Sequence, residues 1–135
     1  WYDADDRSLA ARGMTLGALP LAVAYDPALT EPRPPVRVMV EVTVPAGTAR
    51  DRPVYIATSA NGWMHAPLAW DAATGRARGE IVVPRGEWFF YKFTRGGWDT
   101  VERYADCTEA NNRYGFGAAH PTRSDTVWSW RDRCP

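Results

Sequence analysis

Apolar and polar residues alternate strictly from Val36 to Val44, with Val36, Val38, Val40, Val42 and Val44 on one side and Arg37, Met39, Glu41 and Thr43 on the other. A period of two marks a strand with one face buried and the other in water. A turn over Pro45–Gly47 separates it from a second strand candidate, Val54–Thr58, which runs into the loop Ser59–Trp63. Further candidates lie at Glu80–Val83, Glu87–Thr94, Trp98–Arg103, Asn112–Phe116 and Thr126–Trp130, divided by turn signals at Asp71–Gly75, Pro84–Gly86 and Gly96–Gly97. Short strands at this spacing, with no helical periodicity after residue 36, predict an all-β fold, an immunoglobulin-like antiparallel β-sandwich over residues 36–135.

The first 35 residues read differently. From Asp3 to Met14, acidic residues precede Leu9, Ala10 and Ala11, and Gly13 follows, which predicts a short helix ended by that glycine. Apolar residues from Leu16 to Tyr25 then give way to Pro27, Pro32, Pro34 and Pro35, the composition of a stiff, extended linker. Residues 1–35 are thus expected to form a helical and extended arm. It is too apolar to float freely and too short to fold alone, so it would dock on another chain or back onto the sandwich.

Within Glu87–Thr94, alternation puts Phe89, Tyr91 and Phe93 on one face and Trp88, Phe90 and Lys92 on the other. The three-aromatic set is expected inside. Lys92, the only lysine of the chain, then points outward beside exposed aromatic surface.

Charge excludes more than it suggests. Sixteen basic and sixteen acidic residues cancel, so neither a nucleic-acid footprint nor a polybasic membrane patch follows. No apolar run is long enough for a membrane span. Cys107 and Cys134 are an even count in a small, loop-rich chain, which favours a disulfide in an oxidising compartment, with two reduced thiols as the alternative in a reducing one. The chain opens at Trp1 rather than a methionine, as a processed, exported protein or a fragment would. The expectation is an extracytoplasmic protein, secreted, periplasmic or on the cell surface.

Catalytic machinery is not evident in the sequence. Glu80, Glu87, Asp99 and Glu102 fall on strand ends or turns and are expected to be surface charges rather than a tuned acid and base pair. No G-x-S-x-G elbow and no CxxC pair occurs. His65 and His120 lack ligand spacing, although loops meeting at one end of a sandwich could bring them to a copper or zinc ion with Asp106. That is the enzyme-class alternative, an extracytoplasmic metalloprotein dismutating superoxide or transferring electrons. The expectation is that the two histidines are too far apart to share an ion, with no cofactor.

One combination of motifs is more specific. VYIATSANGW, then Leu68, then VVPRGEWFFYKFTRGGWDTVE, then NNR resembles the starch-binding modules of glucoamylase-type enzymes and the glycogen-binding domain of the AMP-activated kinase β subunit. Asn61, Gly62 and Trp63 match the first loop of those families; Pro84, Gly86, Tyr91, Lys92 and Phe93 match their hairpin; Trp98, Asn111 and Asn112 follow. The resemblance implies a glucan platform in which Trp63 and Trp98 stack on sugar faces while Lys92 and Asn112 bond hydroxyls. Its alternative is that both indoles plug the sandwich ends as loop anchors. Cys107 has no counterpart in the usual motif and would pin its loop differently. Trp128 and Trp130 share an alternating face and, with Trp70 and Trp88, suggest a second sugar site or an apolar patch for a protein partner. The expected partners are therefore an α-glucan or other polysaccharide, and a protein bound through residues 1–35 or Trp128 and Trp130.

Overall fold

The computed structural model describes residues 33–118 and 122–135. The expected N-terminal helix and most of the linker lie outside them, as does His120. No described helix is long and apolar enough to cross a membrane.

Among the described residues are the strands β1 (Val36–Thr43), β2 (Val54–Thr58), β3 (His65–Asp71), β4 (Arg76–Val83), β5 (Trp88–Thr94), β6 (Glu102–Arg103), β7 (Arg113–Phe116), β8 (Thr122–Thr126) and β9 (Ser129–Trp130). The larger sheet runs β7-β5-β2-β3-β4-β1-β8, and β9 pairs with β6 beside it. β3 makes the corner. Its first half, His65–Leu68, pairs with β2, and its second, Ala69–Asp71, pairs with β4. Leu68, the buried residue of this strand, lies against Gly79 of β4, where a Cβ would come within 2.5 Å of Leu68 Cδ2. Glycine there lets the corner close. The single curled sheet thus provides two layers, the all-β sandwich expected.

The core forms where the two alternations predicted it. Val36, Val38, Val40 and Val42 of β1 meet Phe89, Tyr91 and Phe93 of β5, with Val54, Ile56, Val83 and Val127 filling between them. Tyr91 stacks on Phe89 at 5.7 Å and meets Phe93 edge-on at 5.7 Å, so the inward register of β5 is as expected. Each such side chain contributes roughly 1.5–3 kcal/mol by leaving water.

Five readings change. β1 and β8 run parallel, Met39 opposite Thr122 through Thr43 opposite Thr126, so the sheet is mixed rather than wholly antiparallel. β8 lies in the opposite layer from the strand that precedes it, and no hairpin fixes its direction. β3 is a strand that alternation did not reveal, and Trp98–Thr100 is a 3-10 turn, with only Glu102–Arg103 of the expected strand paired in a sheet. Trp130 is 3% exposed and belongs to the core, because the chain leaves β8 at Thr126 and re-enters extended structure in the smaller sheet; Trp128 alone is outward, at 63%. Glu102, expected on the surface, is 2% exposed.

Glu102 closes the seam where the edge strands β7 and β8 face each other. It accepts from the Phe93 N–H at 3.0 Å and from Arg113 Nη2 at 2.7 Å. Arg113 Nη2 also donates to the Thr126 carbonyl at 2.6 Å, and Arg123 Nη2 donates to the Tyr114 carbonyl at 3.1 Å. Tyr91 donates to Asp125 at 2.6 Å and accepts from Arg123 Nε at 2.8 Å. Burial, then the Asp125 bond, pushes the Tyr91 hydroxyl well above the ordinary phenol range. Guanidinium groups stand where a backbone ladder would be.

Candidate functional site

The first sequence-predicted loop is rigid. Thr58 caps the 3-10 turn Ser59–Asn61, its hydroxyl accepting from Ala60 N–H at 2.9 Å, and its carbonyl accepts from Trp63 N–H at 2.8 Å. Asn61 exchanges two hydrogen bonds of 3.2 Å with the backbone of Met64. Gly62 and Trp63 are both left-handed, at φ 75° and 63°. Such a conformation costs a residue with a Cβ about 1–2 kcal/mol, and it is the position of a bulky indole that is held there.

Trp98 arrives from the other side. Gly97 precedes it, Thr100 Oγ1 accepts from Arg95 N–H at 3.0 Å and donates to the Gly97 carbonyl at 2.8 Å, and the ring is 43% exposed. The centroids of Trp63 and Trp98 are 6.2 Å apart with planes inclined by 56°. His65 packs edge-on against Trp98 at 4.8 Å, and its Nδ1 shares a 2.9 Å hydrogen bond with Thr94 Oγ1.

Lys92 is aligned with this pair by register. It lies opposite Ala57 of β2, which lies opposite His65 of β3, so the three share one face of the layer in one row, with Ala57 itself fully covered. Two strand spacings, about 9.5 Å, separate the ends of that row. On its other side Lys92 shares a hollow of about 330 Å³ with Glu109, Asn111 and Asn112. Tyr91 pairs with Arg113, and one register step further puts Asn112 beside Lys92. Trp63, Trp98, Lys92 and Asn112 therefore lie on one face of one layer.

The asparagine loop is fixed by the disulfide. Cys107, at φ 70°, is bonded to Cys134 with Cα atoms 5.7 Å apart, and its carbonyl accepts from Arg103 Nη1 at 3.2 Å. Tyr104 Oη accepts from the Asn111 N–H at 3.1 Å. Asp106 Oδ1 accepts from the Thr108 hydroxyl at 2.6 Å and N–H at 3.0 Å, which holds its carboxyl below the usual range. It shapes the turn.

The metal alternative rests on His120, outside the described residues; among those described, no three His, Cys, Asp or Glu side chains are grouped to hold an ion. Glu80 is in a surface ion pair with Arg37 at 3.0 Å, and Glu87 and Asp99 are exposed. Tyr114 and Phe116 were missed. They alternate with Gly115, a pattern too short to stand out, and join Trp88 and Phe90 on the outer face. A groove of about 680 Å³ follows the seam past Tyr91, Arg113, Arg123 and Asp125, whose polar atoms already bond one another.

This geometry belongs to an all-β sandwich with an aromatic outer face. No protein-family model matches the chain. It is 34% identical over 101 residues to a protein named alpha-amylase from Niallia circulans, an alignment that covers 71% of this chain and 8% of that one. The chain thus spans a small part of the relative it matches. Its fold is shared with part of a family 15 glucoamylase of Hypocrea jecorina, at a TM-score of 0.52 and 20% identity over 78% of this chain and 19% of that one. The glucoamylase of Hormoconis resinae shares it likewise, at a TM-score of 0.53 and 18% identity, with 71% and 18% covered.

Proposed function

We propose that this chain is a non-catalytic module that binds α-glucan on the face bearing Trp63, Trp98, Lys92 and Asn112. The observation that carries the reading is the pair of indoles, 6.2 Å apart and inclined by 56°, one of them on a left-handed backbone. A glucose ring presents C–H groups to an aromatic face, and its hydroxyls need fixed donors and acceptors. Two inclined rings form a cradle that suits a curved α-linked chain better than a flat one. Lys92 donates to hydroxyls from one side, and Asn112 both donates and accepts.

The likeness to proteins named alpha-amylase and glucoamylase supports the same ligand class. The disulfide supports an extracytoplasmic setting. Within a longer protein, such a module would hold the polymer near an active site it does not itself contain.

Calorimetric titration with β-cyclodextrin and amylose tests the reading. Trp98→Ala and Trp63→Ala should each weaken binding by about 1.5 kcal/mol, roughly tenfold, with the melting temperature nearly unchanged. Wild-type protein that ignores both glucans at millimolar concentration overturns it.

A further inference from the structure

β5 and β7 carry an aromatic strip beyond the predicted residues. Trp88 lies opposite Phe116 and Phe90 opposite Tyr114, so all four rings project from the same face as Lys92. They are 60%, 44%, 42% and 61% exposed respectively. Trp88 meets Phe116 edge-on at 5.1 Å and Tyr114 at 5.9 Å, forming one contiguous surface. Isolated exposed rings need no explanation, whereas a contiguous set marks a binding surface.

The outward direction is built into the register. Gly115 faces inward, where a Cβ would come within 2.7 Å of the Phe89 ring, so only glycine fits between Tyr114 and Phe116. The inward residues of β5 are the core aromatics, which leaves Trp88 and Phe90 no alternative face.

We propose that Trp88, Phe90, Tyr114 and Phe116 extend the sugar contact past the paired indoles, as further subsites reached only by a long α-glucan chain; this rests on the α-glucan reading above. Continuity selects the occupant. Phe90 is the next outward residue after Lys92, and its N–H donates at 2.9 Å to Ser59 Oγ, the first residue of the turn that leads to Trp63. A polymer held at the indoles and at Lys92 is delivered directly onto the strip. A protein seated on the strip would crowd that same polymer.

The test uses two probes of different length, β-cyclodextrin and amylose, on the whole chain. Trp88→Ala with Tyr114→Ala should leave β-cyclodextrin affinity within about twofold of wild type and weaken amylose binding roughly five- to tenfold. Tyr114→Ala alone, at a highly exposed position, keeps the measurement readable if the Trp88 change disturbs folding. Amylose bound as tightly by the double variant as by wild type overturns the extension and leaves the α-glucan reading intact. Failure of wild type to bind either probe overturns both. Dissociation of a wild-type oligomer by the double variant in sedimentation, with amylose affinity unchanged, overturns the extension in favour of an interface between copies of the chain.

Discussion

Two pairs of tryptophans divide this molecule. Trp130 is buried, donates from Nε1 to Thr48 Oγ1 at 3.0 Å and lies under the Arg95 guanidinium at 5.5 Å from its ring centroid. Trp70 donates to the Arg52 carbonyl at 2.8 Å, with Arg50 over its ring at 4.2 Å. Trp63 and Trp98 instead touch each other, and among the described residues neither indole N–H has a hydrogen-bond partner. An indole whose N–H is satisfied and whose face is capped contributes to the fold. One held by its loop beside a second indole, its N–H without a partner among the described residues, is suited to a ligand.

The largest expected effect that tests this division is at Trp130. Trp130→Ala should cost about 3–5 kcal/mol, as other large core truncations do, which for a domain of this size means a melting temperature lower by well over 10 °C. A thermal melt within a few degrees of wild type would erase the distinction between the pairs.

Trp63→Asn sharpens the other side. Asparagine tolerates the left-handed conformation better, so the strain relieved offsets the lost contact with Trp98 and the melting temperature should stay within about 2 °C of wild type. Glucan affinity, measured by titration on the same protein, should fall at least tenfold, by about 1.4 kcal/mol or more. A large fall in melting temperature would make Trp63 an anchor.

The smallest effect concerns Arg95, held over Trp130 by Asp132. The Arg95 bond keeps the Asp132 carboxyl below its ordinary range. The group therefore stabilises the fold above an unfolded value of about 4, and the contribution is lost as pH falls through the lower folded value. With the pair partly exposed, Asp132→Asn should cost about 0.5 kcal/mol, roughly 2–4 °C, at neutral pH. Differential melting curves should converge as the medium approaches about pH 2. A difference that persists there would show that the charge is irrelevant.

The parts of this fold legible in the sequence were those where a single strand keeps one face inside. β1 and β5 do so over seven or more residues, and both registers could be read. β3 could not, because it changes partner at Leu68, carries Pro67 and buries only one residue. Trp128 and Trp130 have the same parity, but parity has no meaning across a break in the strand. Glu102 gave no signal at all. Its burial depends on Arg113, eleven residues away, and on the Phe93 N–H, partners that only the folded chain assembles. The candidate face was partly readable for a related reason: Trp63, Lys92 and Trp98 sit in turns and on an alternating strand, whereas the pairing that aligns Lys92 with His65 across Ala57 is a tertiary fact.

The guanidinium groups along the seam have a consequence for the life of such a module at high concentration. A curled sheet that stops short of closing offers two strand edges, and an open edge recruits strands from other molecules into aggregates. Here the Thr126 and Tyr114 carbonyls accept from Arg113 and Arg123, and both side chains are anchored in turn by Glu102 and by Tyr91. An incoming strand would have to displace charged donors to find those acceptors. Crowded copies can then lie side by side without joining their sheets, and the edges stay occupied from within.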